Sequence, residues 1–120
     1  LLKEGLLKIN NFGYFWADED QDKCMKSVPE DYCMKSGDNR IHIVPPLATV
    51  QVIFLREHNR IATILGKINP HWDDEIIFQE TRKIIAAIVQ HVAYMEYLPH
   101  ILGPINMKKY GLYSTPKGFN

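Results

Sequence analysis

The chain has 120 residues, 46% hydrophobic and 23% charged, the composition of one globular domain with its own core. Fourteen basic residues balance fourteen acidic ones, so no basic face is implied for nucleic acid or for an anionic membrane surface. No apolar run approaches the roughly 18 residues that a membrane span requires.

The chain opens on Leu1 and stops at Asn120, and it reads as an interior piece of a longer protein. Residues 1–10, LLKEGLLKIN, form an amphipathic opening segment. Residues 11–39 are loop-like, with aromatics first and then acidic and turn residues around Pro29, Gly37 and Asp38. Cys24 and Cys33 fall in this loop. Two thiols do not complete a four-ligand zinc site, and the spacing is not CxxC. That leaves either a local disulfide in an oxidising compartment or two free thiols.

A helix is expected from Pro45 or Pro46, since proline suits the first helical turn. Apolar residues recur at helical spacing at Leu47, Val50, Phe54, Ile61, Leu65 and Ile68. Val52, Ile53, Leu55 and Ile64 occupy other faces, and a helix apolar on several sides is ordinarily buried within a larger protein. It should end before Asn69-Pro70. Asp73 then caps a second helix, with Asp74 and Glu75 in its first turn facing the positive helix end. Ile77, Ile84, Ile85, Ile88, Val92 and Met95 line one stripe, and Pro99 is expected to close the run. One further helical turn is expected after residue 100 before a loop. The fold class is mainly α.

Among candidate sites, Arg56, Glu57, His58, Asn59 and Arg60 stand out within FLREHNRIA, residues 54–62. On a helix Arg56 and Arg60 share a face, and Glu57 reaches Arg60. His58 and Asn59 can donate to backbone carbonyls of neighbouring segments. The cluster could be catalytic, but a buried network of ion pairs and hydrogen bonds that locks the helix is the better reading. His42, His58, His71, His91 and His100 contain no HExxH or HxxxH pair. There is no Gly-x-Ser-x-Gly elbow and no Gly-rich phosphate loop. Ser27, Ser36 and Ser114 lie in turn-like contexts where serine is commonplace. Arg40, in GDNR, taken by itself reads as a solvated surface residue.

Residues 37–103, from GDNR through LREHNR, INPHWDDE and FQETRK to EYLPHILG, closely resemble the animal-type haem peroxidases, the superfamily of myeloperoxidase and peroxidasin. The likeness is nearest to secreted invertebrate peroxidases. The motifs occur in the family's order and spacing; residues 1–36 fit more loosely, as a loop-rich lead-in. The resemblance implies that this chain is an interior fragment of a helical haem peroxidase domain: residues 37–103 hold the motif core with two long helices, and 104–120 begin the following loop. The implied cofactors are haem b or a modified haem, and calcium at a site before residue 1. The implied partners are hydrogen peroxide and a small electron donor, and the implied location is extracellular.

In the family GDxR supplies an arginine on the distal side of haem, which places that role on Arg40. A distal histidine, expected before residue 1, moves a proton from the near to the far peroxide oxygen. A fixed guanidinium stabilises the negative charge that develops on the departing oxygen. The LREHNR helix is then scaffold, and Cys24 and Cys33 match a family pair that closes a small disulfide loop. The proximal histidine is expected after residue 120, so this piece alone should neither ligate haem in the family manner nor catalyse.

Two departures stand out. Many members carry a haem-esterified glutamate where this chain has Ile43, and one carries a haem-linked methionine where it has Val44. Neither bond can form here. An apolar wall with fewer links points away from chloride, towards phenols, iodide or thiocyanate as donors. The physiological role implied is a response to oxidative stress or extracellular cross-linking. The competing expectation is a peroxidase-like domain without activity, serving as an adhesion or matrix-binding module.

Overall fold

The computed structural model describes residues 3–113. Residues 1–2 of the opening segment and 114–120 of the tail, with Ser114, lie outside the described residues. The protein is mainly helical, as its sequence suggests. Among the described residues the β structure is a single isolated antiparallel bridge between Ala17 and Met34. The chain divides into two compact units, Leu1–Thr81 and Arg82–Asn120.

The first unit starts with a short 3-10 turn, Lys3–Gly5, followed by a long loop. A second 3-10 turn, Asn39–His42, leads into helix α1, Pro45–Ile68. Val44 is extended, and the two prolines that follow have their φ already fixed for the first helical turn. The helix stops where expected. Asn69 donates its backbone N–H to the Leu65 carbonyl at 2.9 Å, and Pro70 follows. Helix α2, Asp74–His91, begins one residue after Asp73. The Asp73 carboxylate accepts the Ile76 N–H at 2.8 Å, and Asp74 and Glu75 occupy the first turn.

The buried face of α1 differs from the apolar stripe its periodicity suggests. The residues that go inside are Val52, Leu55, His58, Ile61 and Ala62, while Val50 and Ile68 remain 48% and 68% exposed. The cause is what packs on the helix: the turns at Lys3–Gly5 and Asn39–His42 both lie against α1. They cover the side that carries His58, a buried polar residue. Ile53 and Ile64, on other sides, stay exposed. Ile41, Ile77, Thr81, Cys33 and Gly5 are also buried in this unit.

Cys24 and Cys33 form a disulfide with Cα atoms 5.7 Å apart, which closes the alternative of two free thiols. Cys33 is fully buried. The bond clips a loop whose ends are already zipped: Asp18 N–H donates to the Cys33 carbonyl at 2.7 Å, and Lys35 N–H to the Trp16 carbonyl at 2.8 Å. Two observations on the intact protein check its role. Unfolding without reductant should expose no titratable thiol from this pair. Replacing both cysteines by serine should lower stability by about 2–3 kcal/mol, as expected for so short a closed loop, read from the urea midpoint.

In the second unit the rest of α2 runs into a π-helical turn, Val92–Tyr97, and then α3, Leu98–Lys109. Pro99 therefore does not close the run. The Leu98 N–H donates five residues back, to the Ala93 carbonyl. A turn widened in this way relieves the clash a proline ring makes in a regular helix. Gly103, at φ 74 and ψ 157, then breaks the helical path, and Pro104 starts its last turns. Helix thus extends to Lys109, past residue 104 where the sequence suggests a loop. Met107 is fully buried, whereas Ile84, Val92 and Met95 of the expected stripe are 38–40% exposed.

Candidate functional site

Arg40 sits in the Asn39–His42 turn, just ahead of α1. Asp38 is the N-cap of this turn, and its Oδ1 accepts the Arg40 backbone N–H at 2.9 Å. The same carboxylate pairs with the Arg40 side chain. Nε lies 3.0 Å from Oδ1, and Nη2 lies 2.8 Å from Oδ2. The Arg40 side chain is nevertheless 74% exposed. The hydrogen bonds from Arg40 hold the Asp38 carboxyl down at about 2, from an ordinary 3.8, and the pairing raises the guanidinium further. Because the folded carboxyl is the stronger acid, its contribution is complete above the ordinary carboxylate range. It fades only as the pH falls towards about 2, and solvent keeps it small.

The turn is anchored on both sides. Ile41 is buried, and His42 Nε2 accepts the Met34 N–H at 2.9 Å, which ties the turn to the strand of loop just after the disulfide. Beside Arg40, Ile43 and Val44 are 68% and 48% exposed. A cation next to an open apolar ledge at a helix start fits one edge of a flat, apolar cofactor with anionic groups, as haem would be. Among the described residues no group of three or more His, Cys, Asp or Glu could hold a metal ion. His58 is buried and engaged elsewhere, and His91 faces Glu96 at 4.0 Å.

The residues of the LREHNR stretch spread over three sides of α1. His58 Nε2 donates to the Gly5 carbonyl at 3.0 Å and packs its ring against Phe78, with centroids 5.4 Å apart. Asn59 grips Leu7 in both directions, accepting its N–H at 2.8 Å and donating to its carbonyl at 2.9 Å. Arg56 donates to the carbonyls of Gly13 and Phe12, at 2.8 and 3.2 Å, and lies over the Tyr14 ring at 4.7 Å. Arg60 and Glu57 pair with each other through two bonds, at 2.8 and 2.7 Å. That pair lowers the Glu57 carboxyl and raises Arg60.

The expected network therefore exists in a different form. Only His58 is buried; in the Glu57–Arg60 pair the side chains are 30% and 61% exposed. The partners are backbone groups of residues 5–13. Periodicity had no means of naming them, although Gly5 and Gly13 mark where that backbone comes close. In the sequence Asp38 reads only as a turn residue, whereas in the structure it is also the partner of the Arg40 side chain. The GDNR spacing, with a carboxylate two residues before the arginine, was the available signal.

The family model described as animal haem peroxidase matches residues 1–120. The chain is 49% identical over 78 residues to the protein named myeloperoxidase from Mus musculus, 65% of this chain and 11% of that one. It is 38% identical over 117 residues to chorion peroxidase from Drosophila melanogaster, 96% of this chain and 14% of that protein. It is 39% identical over 116 residues to the peroxidasin homolog of Homo sapiens, 94% of this chain and 8% of that protein. The chain thus spans a small part of the length of the curated relatives it matches.

Proposed function

The chain belongs to the animal haem peroxidase family, and on that footing we propose that it is part of a peroxidase that reduces hydrogen peroxide and oxidises small electron donors. The observation that carries this reading is Arg40, a guanidinium fixed by a carboxylate yet open to solvent beside an apolar ledge. Haem, when bound, supplies the redox chemistry with peroxide. Arg40 would hold a permanent positive charge against the oxygen on which negative charge develops, and its geometry is set before the reaction begins, so little reorganisation is needed. Ile43 and Val44 would line the cofactor's edge without bonding to it, since neither side chain has a carboxylate or a sulfur. The helix α1 carries the LREHNR residues as scaffold for the segment that precedes the site.

An apolar edge without a covalent link supports phenols, iodide or thiocyanate as donors in preference to chloride. We place the protein outside the cell, in defence against peroxide or in matrix cross-linking. Support comes from the disulfide, which suits an oxidising compartment. Calcium, like the axial and distal histidines, would be held by parts of the protein outside this stretch.

The test uses the full-length protein. Purified with haem, it should turn over peroxide with a phenol, iodide or thiocyanate faster than with chloride. The proteolytic peptide containing Ile43 and Val44 should run at its unmodified mass. A protein that takes up no haem, or that takes it up without turnover, would instead be the non-enzymatic adhesion or matrix module.

A further inference from the structure

An exposed arginine ordinarily samples many rotamers, and ordering its side chain costs entropy. Arg40 is spared much of that at the moment of reaction by how it is held. Its Nε and Nη2 form a side-on fork with both Asp38 oxygens. That uses two of the five guanidinium N–H donors. The two on Nη1 and the second on Nη2 remain, directed away from the carboxylate, as a free fork for an anionic oxygen.

Asp38 is itself tied to the scaffold. Its N–H donates to Ser36 Oγ at 3.0 Å, and that hydroxyl donates at 2.6 Å to Gln51 Oε1 on α1. Its carbonyl accepts the N–H of the buried Ile41 at 3.2 Å. An unbroken path of hydrogen bonds therefore runs from α1 through Gln51, Ser36 and Asp38 to the guanidinium. We propose that Asp38 is a positioning residue for the peroxidase reaction, one that fixes the Nε/Nη2 edge of Arg40 so that its free fork meets the reacting oxygen. This rests on the role of Arg40 given above.

The rival role is a plain helix cap, and substitution separates the two. Asparagine and serine cap about as well as aspartate, but neither offers two charged acceptors to a guanidinium. The experiment is stopped-flow oxidation of the full-length, haem-loaded ferric enzyme by hydrogen peroxide. Asp38→Asn is expected to slow this step about tenfold, as small misplacements of reacting groups do. Asp38→Ser should repeat that result, with the ferric Soret band and the later rate of donor oxidation unchanged. In an Arg40→Ala background Asp38→Asn should have no further effect, because nothing is left to position. Equal slowing with and without Arg40, or no slowing with it, overturns the proposal and leaves Asp38 a cap. If Arg40→Ala alone leaves the rate unchanged, the role of Arg40 fails first, and the single variant shows it.

Discussion

Arg40→Ala in the full-length protein is expected to reduce the rate constant for oxidation of the ferric enzyme by peroxide by about two to three orders of magnitude, the loss seen when one preorganised donor to a developing oxyanion is removed. The fold should not suffer. The side chain is 74% exposed, and its polar contacts among the described residues go to Asp38. The backbone bond that caps the turn, from the Arg40 N–H to Asp38 Oδ1, survives the substitution. Haem content and thermal midpoint should therefore match those of the wild type, which separates lost chemistry from lost structure. Arg40→Lys should recover only part of the rate, because an ammonium cannot form the side-on fork and still present two further donors in a plane. The measurement is stopped-flow absorbance at increasing peroxide, and an unchanged second-order rate constant would remove Arg40 from the mechanism.

How much of this was legible in the sequence depends on the range of the interaction. Helix boundaries set by a residue's own backbone were readable: Pro45 at the start of α1, Asn69-Pro70 at its end, and Asp73 as the cap of α2 all act where they appear. Pro99 shows the limit of such signals. A proline argues locally for a stop, but the chain absorbs it by widening the preceding turn. The buried face of α1 was not readable, because the segment that covers it comes from about fifty residues upstream and binds through polar side chains. That His58 and Asn59 bond to backbone of a neighbouring segment is legible from their chemistry, and one is buried and the other half-buried there, but which backbone receives them is not. The role proposed for Arg40 comes from its likeness to a family, since by itself GDNR reads as a surface turn. Its partner Asp38 was present in the same four letters, but a turn aspartate has a sufficient local explanation, so nothing in the sequence demanded a second one.

The contact between that upstream segment and the helices has its own expected result. Gly5→Ala should destabilise the first unit by about 2–4 kcal/mol, more than any other alanine substitution at a glycine of this segment. Gly5 sits at φ +66, where a side chain is strained by roughly 1 kcal/mol or more. A Cβ there would also lie 2.6 Å from the Phe78 backbone nitrogen, 2.9 Å from Ile77 Cγ2 and 3.1 Å from the Asp74 carbonyl. Two of those three atoms are backbone of α2 and cannot turn aside. Nor can the segment retreat without loss. The Gly5 carbonyl holds His58, the Glu4 N–H reaches Asp74 Oδ1 at 2.6 Å, and Leu7 is gripped by Asn59. Withdrawal would leave the buried His58 without its partner, at about 1–3 kcal/mol. Gly13→Ala is the control. Its φ of +77 imposes a similar strain, but the nearest atom to a new Cβ is Arg56 Nε at 3.3 Å, on a long side chain that can shift. That variant should lose only about 1 kcal/mol. Urea midpoints of the two variants in the full-length protein decide the matter. A clear gap shows that the close approach of Gly5 to α2 fixes this segment, whereas equal losses would mean that backbone strain alone accounts for both.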